Sequence, residues 1–196
     1  IRRLYQRSGI GKFFLHVLPQ LLTPETEQLL IEAGYQRYRG WMKFFRDASA
    51  LEPASTDLVI RRIDPAQAAD FAAIAGPAFD MDPASQPAIA AMANDPDWHL
   101  FMSFEGETPV GTGALFVRNG VAYTDWGATH PDFRRRGSQT AILNSRIQAA
   151  IDMGCARIVT TTGEAVPGDP QHSYNNILKR GFQEAYLREN WIPVSA

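Results

Sequence analysis

The sequence predicts a mixed α/β (α+β) fold, a mostly antiparallel twisted sheet with helices on both faces. Three observations carry this. From residue 58 the order reads strand, helix, helix, three strands, turn, helix, strand, helix, strand. Two hairpin signals, Glu105-Gly106-Glu107-Thr108-Pro109 and Asn119-Gly120, join the three consecutive strands. The last of these runs straight into an arginine–glycine turn that opens a helix, so the sheet is mixed rather than a pure meander.

Composition sets the limits. The 196 residues fit one α/β domain with an extension, or two small domains, and 45% of them are apolar, enough for a sizeable core. Net charge is −2, so nothing global points to nucleic acid or an anionic membrane as partner. A single cysteine, Cys155, excludes an intramolecular disulfide and fits a reducing, cytoplasmic setting. No apolar run reaches transmembrane length and no signal peptide is legible. The chain opens on Ile1 rather than Met, which allows a longer parent protein.

The elements follow in order. Residues 1–8 end a helix at Gly9, and Lys12 to Val17 is an aromatic and apolar strand stopped by Pro19. Thr23-Pro24-Glu25 starts a helix, with Thr as N-cap, Pro at N1 and a carboxylate in the first turn; it ends at Gly34. Tyr35 to Phe45 is a strand, and 47–57, small, polar and Pro-containing, is a linker. This divides the chain at 57/58 into an N-terminal segment (1–57) and a main domain (58–196). Leu58 to Ile63 is a strand, Asp64-Pro65 caps a helix over 66–75, and a small helix lies near 88–93. Trp98–Phe104, Val110–Val117 and Val121–Thr129 are the hairpin strands. Ser138 to Met153 is an amphipathic helix closed by Gly154, Ala156–Thr162 a β-branched strand, Ser173 to Arg180 a helix ended by Gly181, and Phe182–Trp191 the last strand.

The chemistry concentrates at Thr129-His130-Pro131-Asp132-Phe133-Arg134-Arg135-Arg136-Gly137-Ser138-Gln139-Thr140. A helix start exposes N–H groups without internal partners, its dipole favours negative charge, and glycine lets an anion approach the backbone. The turn therefore suits a phosphate or pyrophosphate; a solvated basic run is the plainer alternative. The Walker pattern and GxGxxG are both absent.

These residues resemble the GCN5-related N-acetyltransferase (GNAT) family, whose motif is Gln/Arg-x-x-Gly-x-Gly/Ala at a strand-to-helix turn. Arg134-Arg135-Arg136-Gly137-Ser138-Gln139 fits the first four positions and departs at the last, where Gln139 stands for Gly or Ala. His130-Pro131, Ala141-Ile142-Leu143, Ser173-x-x-Asn176 and Gly181-Phe182 extend the likeness over about 58–192. The resemblance implies acetyl-CoA as cosubstrate and no metal. Arg134, Arg135, Arg136, Gly137, Ser138, Gln139 and Thr140 would hold the pyrophosphate. Main-chain groups of Ala128 and Thr129 would pair with pantetheine, one N–H stabilising the thioester oxyanion, and Asn176 would contact the arm. The family's usual acid, a tyrosine four residues before Gly-Phe, is Ile177 here; Tyr174, on the same helical face, is the substitute candidate, a packing tyrosine its alternative. Asp125 and Glu164 are the candidate bases, with His130 a lesser one, and Asp125 serves equally as an arginine's partner. Phe79-Asp80-Met81-Asp82 would border the acceptor site.

The N-terminal segment reads helix end, Gly9, strand, capped helix, Gly34-Tyr35-Gln36, strand. Residues 144–192 read helix end, Gly154, strand, helix, Gly181-Phe182-Gln183, strand. The first thus resembles a degenerate copy of the second half of the fold, an αβαβ half-repeat without the arginine–glycine turn. The expected function is acetyl transfer to an amine of a small molecule or a protein, in a chain that a homodimer would suit. A catalytically degenerate acyl-CoA-binding module is the second reading. Nucleic-acid binding is disfavoured by net charge and by the lack of aromatic–basic interleaving.

Overall fold

A computed structural model describes residues 1–10 and 13–194. Its helices are α1 (Arg2–Arg7), α2 (Pro24–Glu32), α3 (Ala68–Ala78), α4 (Gln86–Ala91), α5 (Ser138–Asp152) and α6 (His172–Lys179). Its strands are β1 (Leu15–Val17), β2 (Tyr35–Arg46), β3 (Val59–Arg62), β4 (Trp98–Glu105), β5 (Thr108–Arg118), β6 (Val121–Thr129), β7 (Arg157–Gly163) and β8 (Gln183–Pro193). Lys12, in the expected first strand, lies outside the described residues. Two starts differ from expectation. Asp64 accepts from the Ala66 N–H and caps a short 3-10 turn, so α3 begins at Ala68 and runs through Pro77. Ser173 lies inside α6 rather than capping it, and the Asn175 N–H donates to the Gln171 carbonyl at 2.9 Å.

The chain forms two compact units that interleave in sequence: Ile1–Phe44, Thr161–Asn175 and Glu184–Ala196 in one, Phe45–Thr160 and Asn176–Gln183 in the other. The expected boundary at 57/58 does not coincide with this division. Residues 47–57 have no regular structure, yet they are tied down within the second unit. Asn144 Nδ2 and Arg180 Nη1 donate to the Glu52 carbonyl at 2.8 and 3.1 Å, and Thr56 Oγ1 donates to the Arg136 carbonyl at 2.7 Å.

In the first unit the strand order is β1-β8-β2-β7. β1 pairs antiparallel with β8, Leu15 opposite Trp191. Exchanging β1 with β7 and β2 with β8 leaves this order unchanged. The glycines that end the paired helices are likewise left-handed, Gly9 with Gly154 (φ 70° and 75°) and Gly34 with Gly181 (φ 79° and 78°). The core of this unit is Phe13, Val17, Tyr35 and Trp191, with Leu22 and Leu30 packed against it.

In the second unit the order is β7-β6-β5-β4-β3, antiparallel except for the parallel β6–β7 pair. Ala114 joins Phe71, Ala75, Leu100 and Met102 in the core under α3. Its neighbour Gly113 faces α5, so helices cover both faces of these strands. α5 sits unusually close to the sheet. A Cβ on Gly111 would stand 2.5 Å from Ser138 Oγ, one on Gly113 2.5 Å from Ile142 Cγ2, and one on Gly127 2.7 Å from Gln139 Oε1. Three glycines thus remove the strands' share of the side-chain layer between helix and sheet. Gly113→Ala overpacks this contact against buried Ile142 and Arg146, and we expect a loss of about 1–3 kcal/mol, read as a lower chemical-denaturation midpoint; an unchanged midpoint refutes the close packing.

Candidate active site

β6 carries a bulge. Thr112 faces Ala128 and Ala114 faces Asp125, so Trp126 and Gly127 stand opposite Gly113 alone. Trp126 has φ 54°, a left-handed value that bulky residues avoid. Three contacts hold it there. Phe79 meets its ring edge-on with centroids 5.2 Å apart, its N–H donates to Asp125 Oδ1 at 2.8 Å, and its carbonyl accepts from Thr112 Oγ1 at 3.0 Å. The parallel ladder to β7 covers Val121–Thr124. From Asp125 to Thr129, among the described pairings, β6 continues beside β5 alone. A strand edge of this kind can accept an extended ligand as an added strand.

α5 begins directly after β6 and one 3-10 turn. Its N-cap is Gly137 at φ 80°, and among the described residues no side chain caps it. α2, by contrast, is capped by Thr23. The first intrahelical donor is Ala141 N–H to the Gly137 carbonyl, 3.0 Å, so the N–H groups of Ser138, Gln139 and Thr140 precede the hydrogen-bonded turns. Arg134 and Arg135 are exposed beside this end. An uncapped helix start flanked by two exposed guanidinium groups has the geometry and charge that suit an anion.

Arg136 behaves differently from its neighbours. Its Nη1 pairs with Glu105 Oε1 at 2.6 Å and its Nη2 with Asp57. These two carboxylates raise its pKa above the ordinary arginine value, and Asp57 is held below the usual carboxylate range in return. Arg136 thus fastens the 47–57 segment and the β4 end to the turn.

Gln139 resolves the departure in the motif. Its side chain folds under the helix, and Nε2 donates to the Ala128 carbonyl at 2.5 Å, to Thr129 Oγ1 at 3.0 Å and to the Thr112 carbonyl at 3.3 Å. Gly127 leaves the room for it. The side chain ties the helix start to β6 and leaves the backbone amide at the helix end. Thr140 Oγ1 donates to Asn176 Oδ1 at 2.8 Å, joining the first turn of α5 to α6. Ser138 is buried and shares a hydrogen bond with Ser103, 2.8 Å. Ala128, Thr129, residues 134–140, Asp125 and Asn176 therefore gather in the second unit.

Tyr174 and Glu164 belong to the first unit. The Tyr174 hydroxyl donates to the Glu184 carboxylate, and its ring meets Phe44 edge-on at 4.9 Å. Burial, then Glu184, pushes its phenol up to about 12. The Tyr174 proton is thus engaged by Glu184 in this structure. Glu164 Oε2 accepts from Arg37 Nη2 at 3.4 Å, and its carbonyl accepts from Arg39 Nη2 at 2.8 Å. Among the loop carboxylates, Asp82 accepts from the Ala84 N–H at 2.8 Å as a cap. His130 is exposed and 3.7 Å from Asp132.

Comparison with known proteins joins the geometry to a family. The model for the acetyltransferase (GNAT) family matches residues 68–170, which is more than half of the chain and spans the bulged strand and the uncapped helix start. The chain belongs to the GNAT family. GNAT structures from other organisms share its fold. A GCN5-related N-acetyltransferase from Kribbella flavida aligns with TM-score 0.71 and 17% identity over 100% of this chain and 73% of that one. One from Sphaerobacter thermophilus aligns with TM-score 0.73 and 16% identity over 97% and 64%. A functionally unknown conserved protein from Staphylococcus epidermidis aligns with TM-score 0.70 and 10% identity over 100% and 77%. No curated protein matches the sequence of this GNAT chain. Among the described residues, no helix is long and apolar enough to cross a membrane.

Sequence reasoning missed Arg146, Glu184 and the role of the glycines. Arg146 stands seven residues after Gln139, on the same helical face, and Gly111-x-Gly113 alternates as one sheet face does. Those two spacings were the available signals. Because Tyr174 is raised, its stabilising contribution is fully present below the unfolded phenol value of about 10 and is lost as pH climbs through about 12. Ultraviolet titration is expected to show one phenol ionising late, absent in Tyr174→Phe; an unchanged titration curve in that variant removes the assignment.

Proposed function

We propose that the chain moves an acetyl group from acetyl-CoA to an amine of a small molecule, or of a protein, by direct attack in a ternary complex. The observation that carries this reading is the uncapped start of α5, with Arg134 and Arg135 beside it, directly following a bulged strand with an open edge. The N–H groups of residues 138–140 and the two arginines bind the pyrophosphate, and Asn176 contacts the pantetheine arm. Main-chain groups of Ala128 and Thr129 align that arm as an extra strand. A neutral amine attacks the thioester carbon, and an N–H of the bulged strand stabilises the oxyanion. The C–S bond then breaks. The amine proton leaves to Asp125, directly or through water, and the CoA thiolate takes a proton from solvent. No metal enters this scheme. The single cysteine, buried, suits a cytoplasmic setting.

A second reading, an acyl-CoA sensor without turnover, is favoured by one fact: Ile177 stands where the family's tyrosine acid is usual and Tyr174 is engaged by Glu184. Release of free thiol from acetyl-CoA, followed over a panel of small amines, separates the two. Turnover with any amine supports the enzyme; tight binding with no thiol release supports the sensor. Calorimetry with acetyl-CoA tests the cofactor site itself. Arg134→Ala and Arg135→Ala are expected to weaken binding about 5-fold or more each, as loss of a charge-assisted contact does. Arg136→Ala is expected to change it less than about 2-fold while lowering Tm slightly, as loss of exposed ion pairs does. Equal effects from all three arginines contradict this division.

A further inference from the structure

Arg146 stands where the period of α5 calls for an apolar residue. The buried face of the helix runs Ser138, Ile142, Arg146, Ala150, and Arg146 is only 4% exposed. Removing a guanidinium from water is costly unless every donor is well used. The interactions it finds surround the bulge. Nη1 donates to the Asp125 carbonyl at 2.7 Å and to the Ala114 carbonyl at 3.1 Å, the two residues that face each other where the β5–β6 register resumes. Nε reaches the Ile142 carbonyl of its own helix at 3.4 Å. On the other side of the bulge, Gln139 takes the carbonyls of Ala128 and Thr112, again a facing pair. The helix therefore grips both strands on either side of Trp126 and Gly127. Gly113, whose Cβ would stand 2.8 Å from the Arg146 Cζ, leaves the passage through which the guanidinium reaches them.

We infer that Arg146 is a positioning residue for acyl transfer: with Gln139 it clamps the β6 bulge and so fixes the main-chain groups at Gly127–Thr129 that receive the thioester carbonyl. The inference rests on the acetyl-CoA reading above. The chemistry asks for such a clamp. A bulge interrupts the ladder that would otherwise hold those strands in register, and an oxyanion donor acts only if it is already aimed. Burial lowers the pKa of Arg146 to about 10, which leaves it charged at neutral pH. The guanidinium acts through the carbonyls of Asp125 and Ala114.

The test compares two ligands that differ only at the thioester. CoA has the pyrophosphate and pantetheine but no acyl carbonyl. Calorimetry of the wild-type chain with acetyl-CoA and with CoA gives a preference for the acylated form. In Arg146→Met, which keeps the length and loses the donors, CoA is expected to bind within about 2-fold of wild type while that preference collapses to about one. With an amine acceptor, kcat is expected to fall about 10- to 100-fold, while KM for acetyl-CoA rises by no more than the lost preference. Arg146→Lys keeps the charge and loses the fork; it is expected to recover thermal stability more than preference or kcat, and it serves if the methionine variant fails to fold. A purely structural role would lower Tm and leave preference and kcat native below the transition, and that result overturns the proposal. If the wild-type chain binds neither ligand, the cofactor reading falls and this inference with it. If wild type prefers acetyl-CoA and both variants keep that preference, only the clamp falls.

Discussion

The close approach of α5 to the main chain of β5 and β6 is the constraint on which the second unit depends. A helix normally rests on a sheet through interleaved side chains. Here Gly111, Gly113 and Gly127 withdraw the strands' share of that layer, and the helix's side chains reach strand backbone. Side chains from the helix can then hydrogen-bond directly to strand carbonyls, as Gln139 and Arg146 do. The same approach carries the uncapped helix start to the end of β6, where the edge is open. Anion site, bulge and open edge are therefore products of one packing arrangement rather than three separate features.

The four arginines near the turn show how position divides labour among identical side chains. Arg134 and Arg135 are exposed and keep their charge available to a ligand. Arg136, one residue on, is spent on Asp57 and Glu105. Arg146 is sealed beneath the sheet, where it faces carbonyl dipoles. Electrostatic strength depends on surroundings, so the run of three arginines overstated the positive charge available at the turn.

Much of the fold was legible because it rests on local signals. Asn119-Gly120 placed the β5–β6 hairpin, Thr23-Pro24 placed α2, and Gly154 and Gly181 marked helix ends that the structure repeats. Boundaries moved where a local competitor won: the 3-10 turn after Asp64 delayed α3, and Ser173 sat within α6. The anion turn was legible since glycine, cations and a helix start are neighbours in sequence. What was hidden depends on pairs far apart in the chain. Tyr174 could not be assigned to Glu184, nor Arg136 to Asp57, without knowing which surfaces meet. A buried arginine is hardest of all, since composition always argues for placing it outside.

The strand order of the first unit also sets a timetable. β2 lies between β8 and β7, and β1 lies beside β8, so among the described residues neither strand has a neighbour made before residue 157. At ordinary synthesis rates that delay is on the order of ten seconds. Throughout it, Tyr35–Arg46, a run rich in tyrosine, tryptophan and phenylalanine, waits unpaired on the growing chain. Among the described strands β8 emerges last and closes the unit, and a nascent chain halted before it leaves β1 without its partner and one edge of the aromatic β2 open to misassembly.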